Sequence, residues 1–362
     1  MADKTGIEWT EATWNPVVGC THVSEGCEHC YAAREASGRL RNLPTYAGLA
    51  EGGRFTGEVR LLPDRLDQPL RWRRPRRIFV NSMSDLFHRD VPDLFIEQVF
   101  DVMEQAKQHT FQVLTKRPGR MRAFVRAREG RKAEYARKFD DCPTEAMRNS
   151  PAAQWARQRA ATPPSNIWLG VSIENQHWAD IRVPVLLDTP AAVRWLSCEP
   201  LLGPVDLGRW MCSCGGSRWV DDENWQPAYQ PWDGERAPGD GRIPCGLCNL
   251  GGWDVPDAPG PRIGWVVAGG ESGPKARPMQ LDWARGLRDQ CRATGVPFLF
   301  KQWGEWAPRC RLGLSDGHET HHCSCNGRNA SHPTDLRRVG KKAAGRELDG
   351  RVWDEYPTAV TA

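Results

Sequence analysis

Short apolar runs rich in β-branched and aromatic residues recur along the chain, and stretches with apolar residues at helical spacing lie between them. The runs fall at 14–18 (WNPVV), 78–80 (IFV), 111–114 (FQVL), 167–171 (IWLGV), 193–196 (VRWL), 264–268 (GWVVA) and 297–300 (PFLF). Continuous apolar runs of this length suit parallel strands covered on both faces. Two intervening helices are plain. Phe95, Val99, Val102 and Met103 form one stripe, with Asp90 and Pro92 as a start signal, and Trp283, Leu287 and Cys291 form another that Gly295 and Pro297 end. Strand–helix alternation predicts an α/β fold with a parallel sheet. Six or seven such units favour a full or partial (β/α) barrel over an open sheet, and the site is expected at the strand C-termini.

Those strand ends are polar: Asn81 to Asp85, Thr115 to Arg117, Ser172 to Glu174, Ser197 to Glu199, Gly269 to Ser272, and Lys301 to Trp303. Their convergence on one rim predicts a pocket. Three segments interrupt the pattern, at 116–159, 210–261 and 310–342. The expected organisation is a barrel begun in 1–209 with a basic insertion at 117–160, a Cys-rich inserted subdomain at 210–262, and barrel completion with a tail in 263–362.

Composition narrows the function. The chain has 362 residues, enough for a sizeable core without disulfides, and 13 cysteines. No run approaches the ~18 apolar residues of a membrane helix. The start, MADKTGIEWTEATW, lacks the apolar stretch of a secretory signal. The expectation is a cytoplasmic protein with no membrane partner, whose cysteines serve metal or redox chemistry. The net charge of +4 decides little by itself.

Cys20, Cys27 and Cys30 form a C-x6-C-x2-C loop directly after the first strand. Three thiolates on one loop can hold three irons of a [4Fe–4S] cluster and leave the fourth open. A zinc site completed by His22 or His29, or buried structural cysteines, would use the same residues. The spacing is longer than the usual radical-SAM C-x3-C-x2-C.

The opening IEWTEATWNPVVGCTHVSEGCEHCYA resembles that of the phage Gp37/Gp68 family, also called DUF5131 or three-Cys-motif proteins. The resemblance continues through PRRIFVNSMSDLFHRDVP, HTFQVLTKRP, NIWLGVSIENQ, VRWLSCEPLLGPV, VVAGGESGPKARPM, PFLFKQWGEW and GRELDGRVWDEYP, and lapses at the three interruptions. The family looks like a branch of the radical-SAM superfamily. The resemblance therefore implies a partial (β/α) barrel, a [4Fe–4S] cluster on Cys20, Cys27 and Cys30, and S-adenosylmethionine (SAM) at the strand C-termini. Such an enzyme takes its electron from a donor such as flavodoxin or ferredoxin.

For SAM, the expected contacts are Gly269, Gly270 and Glu271, a Gly-Gly-Glu element that follows a late strand here, whereas the superfamily's follows the second. By position, Ser82, Ser84 and Asp85 are candidates for the amino group, Lys116 for the carboxylate or a substrate anion, and Ser172 and Glu174 for the ribose. Tyr31 and His29 are candidates for the adenine. Glu199 and Lys301 are expected on the substrate side as acid/base or anchoring groups, and Cys198 as a hydrogen donor or a small buried hydrophobe.

Cys212 and Cys214 with Cys245 and Cys248, in the Gly/Pro-rich insertion, suggest a zinc-ribbon-like metal site, with an auxiliary iron–sulfur cluster as the rival. Cys310, His321, His322, Cys323 and Cys325 form an irregular group of local loop residues or a further site, and Cys142 and Cys291 read as structural. Residues 116–159 hold 13 Lys/Arg against 5 Asp/Glu, and Arg71, Arg73, Arg74, Arg76 and Arg77 surround Trp72. Basic clusters with aromatics suit DNA or a modified nucleotide. A solvated helix face balanced by acidic residues elsewhere has the same composition. The phage-family resemblance, and no motif of its own, implies the expected activity: modification or isomerisation of a nucleobase in phage DNA, for example an amino-acid-substituted, hypermodified thymidine. The alternatives are a zinc-dependent nucleic-acid-binding protein without radical chemistry, and a radical-SAM enzyme acting on protein, tRNA or a DNA lesion.

Overall fold

The computed structural model describes residues 5–211, 219–221, 242–244, 262–308 and 336–358. Seven strands form one sheet: β1 (Ala12–Trp14), β2 (Arg77–Val80), β3 (Thr110–Thr115), β4 (Ile167–Ser172), β5 (Val193–Cys198), β6 (Trp265–Gly269) and β7 (Phe298–Gln302). Their order in the sheet is their order in the chain, and every neighbouring pair is parallel. The sheet curls into a half-barrel with β1 and β7 as its edges. Of the two forms left open by the sequence, the partial barrel is the one that forms.

Six of the seven apolar runs became strands of this sheet because side chains alternate across the pleat and both faces are covered, whereas the run at 14–18 meets the sheet only at Trp14 and its Val17–Val18 pair with Arg60–Leu61 outside it. Helices α2 (Asp93–Gln105), α3 (Pro118–Arg137), α5 (Gln176–Leu187) and α6 (Leu281–Thr294) pack on the convex face, where Val80, Val113, Leu169, Leu196, Ala268 and Phe300 join their apolar stripes. Helix α6 ends at Gly295, which adopts φ +67° as a C-terminal cap. The concave face is filled low down by Trp9, Phe79, Trp168, Trp195, Trp265, Val267 and Leu299. The rings of Trp9 and Trp195 stand 5.2 Å apart, edge to face. Gly170 makes room for this plug, since a Cβ there would lie 2.5 Å from the Trp195 indole. With the lower half plugged, only the strand C-terminal ends face open space.

Both chain ends close the seam between β1 and β7. The N-terminal segment threads Trp9 into the plug, while the 353–356 segment bonds Phe300 N to Trp353 O (2.9 Å) and Trp265 Nε1 to Glu355 O (2.9 Å). Lys341 Nζ reaches Glu8 at 3.2 Å across that seam.

The 117–160 segment supplies the β3–β4 crossover itself, as α3 followed by α4 (Pro151–Ala161). Its basic residues meet acid. Helix α2 places Asp93, Glu97, Asp101 and Glu104 on one face, and these pair with Arg120, Arg128, Arg131, Lys132 and Arg159. Arg122 and Arg126 pair with Asp188. The run expected to meet DNA is thus largely an interhelical ion network.

Arg128 is buried, and Glu104 is 10 % exposed. Desolvation would raise the Glu104 carboxyl, but its contacts with Lys132, Arg128 and Arg159 hold it below the ordinary value. A depressed carboxyl contributes stability above its unfolded pKa and loses it as pH falls through the folded one. Glu104→Gln is therefore expected to cost about 2 kcal/mol in urea unfolding at pH 7, because Arg128 and Lys132 each lose one charged acceptor while Arg128 keeps Glu97 and Asp101 and Lys132 keeps Glu129. The gap from wild type should narrow well below pH 4.5. A pH-independent gap would rule the network out as its source.

Candidate functional site

A cavity of about 1260 Å³ opens above the plug at the strand C-termini. Its lining includes Cys20, Cys27, Cys30, Lys116, Glu199 and Lys301, from distant parts of the sequence. Past β1, residues Val17–Val18 pair with Arg60–Leu61, and Gly19 turns the chain at φ +88°. A Cβ on Gly19 would lie 2.1 Å from Glu58 O, so only glycine can deliver Cys20 to the cavity there. A 3-10 turn (Glu25–Cys27) follows, and Cys30 caps α1 (Tyr31–Ser37), which forms a side wall of the cavity.

The cysteine loop is clamped at four places. Glu174 is fully buried, accepts from Ser24 Oγ at 2.7 Å and Arg182 Nη1 at 3.1 Å, and pairs with Lys116. Gly26 lies against this pair, where a Cβ would sit 2.5 Å from Glu174 Oε1. On the second side, Glu25 accepts from Trp178 Nε1 (2.7 Å) and from Asn175 at the start of α5. On the third, Glu271 accepts from His29 Nδ1 (3.0 Å) and Arg277 Nη2 (2.7 Å), and Arg277 also donates to Glu25 O (2.9 Å). On the fourth, Arg117 joins Asp85 (2.8 Å), Thr21 Oγ1 (2.7 Å) and Cys20 Sγ (3.7 Å).

Burial, helped by the charge of Asp85 and by Cys27, pushes the Cys20 thiol up to about 12 against the pull of Arg117. Burial also raises Cys30, and Cys27 adds to it. Burial lowers the Lys116 ammonium to about 8. Among the described residues, no three His, Cys, Asp or Glu side chains are gathered tightly enough for a single metal ion.

At the cavity floor the sheet joins two expected residues. Lys301 Nζ lies 2.9 Å from Glu199 Oε1, and Glu199 Oε2 accepts from Trp9 Nε1 (3.1 Å) and Ser197 Oγ (3.2 Å). Residues 4–357, nearly the whole chain, match a family described as a protein of unknown function, DUF5131. This chain belongs to the DUF5131 family. No curated protein and no solved structure matches it.

In this DUF5131 chain, most of the residues expected at the site do gather there. Tyr31, Ser82, Ser84, Asp85, Lys116, Ser172, Gly270, Glu271, Glu199 and Lys301 all line the cavity. Three carboxylates are already engaged, however. Asp85 accepts from Thr115 Oγ1, Phe87 N, Lys116 N and Arg117, so it organises two strand ends, and Glu174 and Glu271 hold the cysteine loop. Ser84 Oγ donates to Val17 O (2.8 Å), Ser82 Oγ bonds Asn15, and Tyr31 donates to Ser82 O (2.5 Å). Gly270 allows close strand packing, since a Cβ would sit 2.0 Å from Trp303 O, and Gly269 stands beside Glu199.

Cys198 is a correction. It is fully buried on the convex face beneath the helices, near Cys291, because Ser197 and Glu199 on either side face the cavity. Its reading as a small buried hydrophobe holds, and hydrogen donation does not. The second basic run is also displaced. Arg73 and Arg74 are exposed before β2, at the strand N-terminus and so at the end of the sheet away from the cavity. Cys212, Cys214, Cys245, Cys248, Cys310, His321, His322, Cys323 and Cys325 lie outside the described residues. No described helix is long and apolar enough to cross a membrane.

Sequence reading missed Arg182, Arg277 and the role of Arg117. Arg117 stood beside Lys116 at a strand end, and Arg277 sat within the GGESGPKARPM motif.

Proposed function

We propose that this chain is a radical-SAM enzyme in which Cys20, Cys27 and Cys30 hold a [4Fe–4S] cluster. The observation that carries this reading is the placement of three cysteines of one clamped loop together in the lining of the half-barrel cavity. The donor set fits the group. All three ligands are sulfur, and a cluster spreads its thiolates over several irons, so the tight cage of a single ion is not required. When bound, the cluster and SAM would supply a 5′-deoxyadenosyl radical, generated by one-electron cleavage of SAM.

This chain's own residues then position and exclude. The clamps fix the loop, and the aromatic plug keeps water from entering below. At about 1260 Å³, the cavity exceeds the roughly 300–1,000 Å³ typical of one small-ligand site, which leaves room for SAM and a substrate together. Lys301, anchored by Glu199, presents its ammonium to that substrate. Eight Lys/Arg and four Asp/Glu line the cavity, an excess of four positive charges. That excess replaces the two basic runs as support for an anionic substrate. The reading is a nucleobase in DNA, possessing or acquiring a modification such as an amino-acid substituent, flipped into the cavity for hydrogen abstraction. A zinc or auxiliary-cluster site in the 210–262 insertion remains part of the proposal.

Anaerobic reconstitution with iron and sulfide is expected to give about four irons per chain. SAM and a reductant should then yield 5′-deoxyadenosine, with greater turnover on modified-base oligonucleotides than on unmodified ones. Zinc without iron and no SAM cleavage would replace this reading with a zinc-dependent nucleic-acid-binding protein. Turnover on a protein, tRNA or lesion alone would replace only the substrate.

A further inference from the structure

We propose that Arg117 is a positioning residue that sets the reduction potential of the cluster through the Cys20 sulfur. The inference rests on the cluster assignment above and adds to it a residue that no cysteine motif contains.

The geometry is that of a pinned cation. Arg117 Nη1 donates to Cys20 Sγ at 3.7 Å and to Asp85 Oδ2 at 2.8 Å. Its second terminal nitrogen donates to Thr21 Oγ1 at 2.7 Å and Thr21 O at 3.2 Å. Thr21 Oγ1 is itself 2.9 Å from Nε2 of His88, whose side chain is fully buried. Asp85 cannot swing away, because Thr115 Oγ1 (2.7 Å) and the backbone of Phe87 (2.9 Å) and Lys116 (3.1 Å) hold it. The guanidinium fork is thus fixed on three sides, with one N–H left for sulfur.

A guanidinium stays charged at any working pH. Cluster potentials respond to net charge and to hydrogen bonds on the sulfurs. Reduction brings one electron from an external low-potential donor and puts extra negative charge on the thiolates. An N–H and a fixed positive charge at Cys20 favour that state, so Arg117 raises the potential and no proton need accompany the electron. Asp85 offsets part of the charge at longer range while holding the fork in place.

The test is an EPR-monitored redox titration of the reconstituted full-length chain, with iron content measured on each sample. Arg117→Gln is expected to lower the reduced-to-oxidised ratio at fixed potential at least tenfold, which for one electron is about 59 mV. Arg117→Lys, which keeps the charge and loses the fork, should recover part of that shift. If Arg117→Gln lowers iron content but the loaded fraction titrates at the wild-type potential, Arg117 only ties the loop and the inference fails. If the wild-type chain forms no cluster, the cluster assignment fails, and the inference with it.

Discussion

On the proposed cluster assignment, Cys27→Ala is expected to abolish 5′-deoxyadenosine formation while leaving the cluster-free fold as stable as that of cluster-free wild type. The two halves of this outcome have separate causes. Cys27 is half-buried and lines the cavity, and the turn that carries it closes through backbone bonding of Cys27 N to Ser24 O (2.8 Å). Glu25, Ser24 and Arg277 continue to clamp that turn without the thiol. The change in unfolding free energy should stay within about 0.5 kcal/mol. Mutating groups that merely orient a metal ligand costs about 10–100-fold in metal affinity or activity, and a ligand itself should cost more. Iron content and SAM cleavage should both fall at least about 100-fold. A Cys27→Ala chain that retains full iron and cleaves SAM would remove Cys27 from the ligand set.

Glu174→Ala is expected to behave in the opposite way, damaging the fold first. The carboxylate is fully buried between Lys116 and Arg182, and Arg182 is itself 1 % exposed with its charge disfavoured by burial. Arg182 Nη1 also donates to Ser172 O (2.5 Å), and its guanidinium lies 4.0 Å over the Trp178 ring. Among the described residues its Nη2 has no hydrogen-bond partner. Removing Glu174 leaves the buried Arg182 and the partly buried Lys116 without their shared anion, a loss of about 3 kcal/mol. It also removes the floor under Gly26. Urea unfolding should show the loss, and a thiol reagent should modify the cysteines of the apo chain faster than in wild type. Glu174→Gln keeps the shape and loses the charge, so it should fall between the two. Wild-type stability in Glu174→Ala would show that the triad is not a structural anchor.

The fold was legible because its signal is local. Seven apolar runs, each with its own helix or loop, predict strands without knowledge of what they touch, and strand ends predict a rim. Glu199 and Lys301 could be chosen for that reason, although only the sheet brings them to 2.9 Å. The failures were questions of pairing and facing. The basic run at 116–159 could not show that Glu97, Asp101 and Glu104 stand opposite it, because the partners lie some 25–55 positions away along the chain. Cys198 could not be assigned a face until its neighbours were seen to point inward. Asp85 and Glu271 were recognised as carboxylates at the site, yet their acceptor capacity was spent on Arg117 and Arg277, and no motif records such commitments.

The seam has a consequence for biosynthesis. Trp9 is synthesised 190 residues ahead of Glu199, yet its resting place is made by Trp195, Trp265 and the Glu199 carboxylate, and Tyr356 stacks on Trp265 at 5.4 Å between ring centres. Early strands can pair as they are synthesised. The plug beneath the cavity cannot be completed until Trp265 and Tyr356 have been translated. A nascent or truncated product would carry the cysteine loop without a sealed chamber under it, open to water from below.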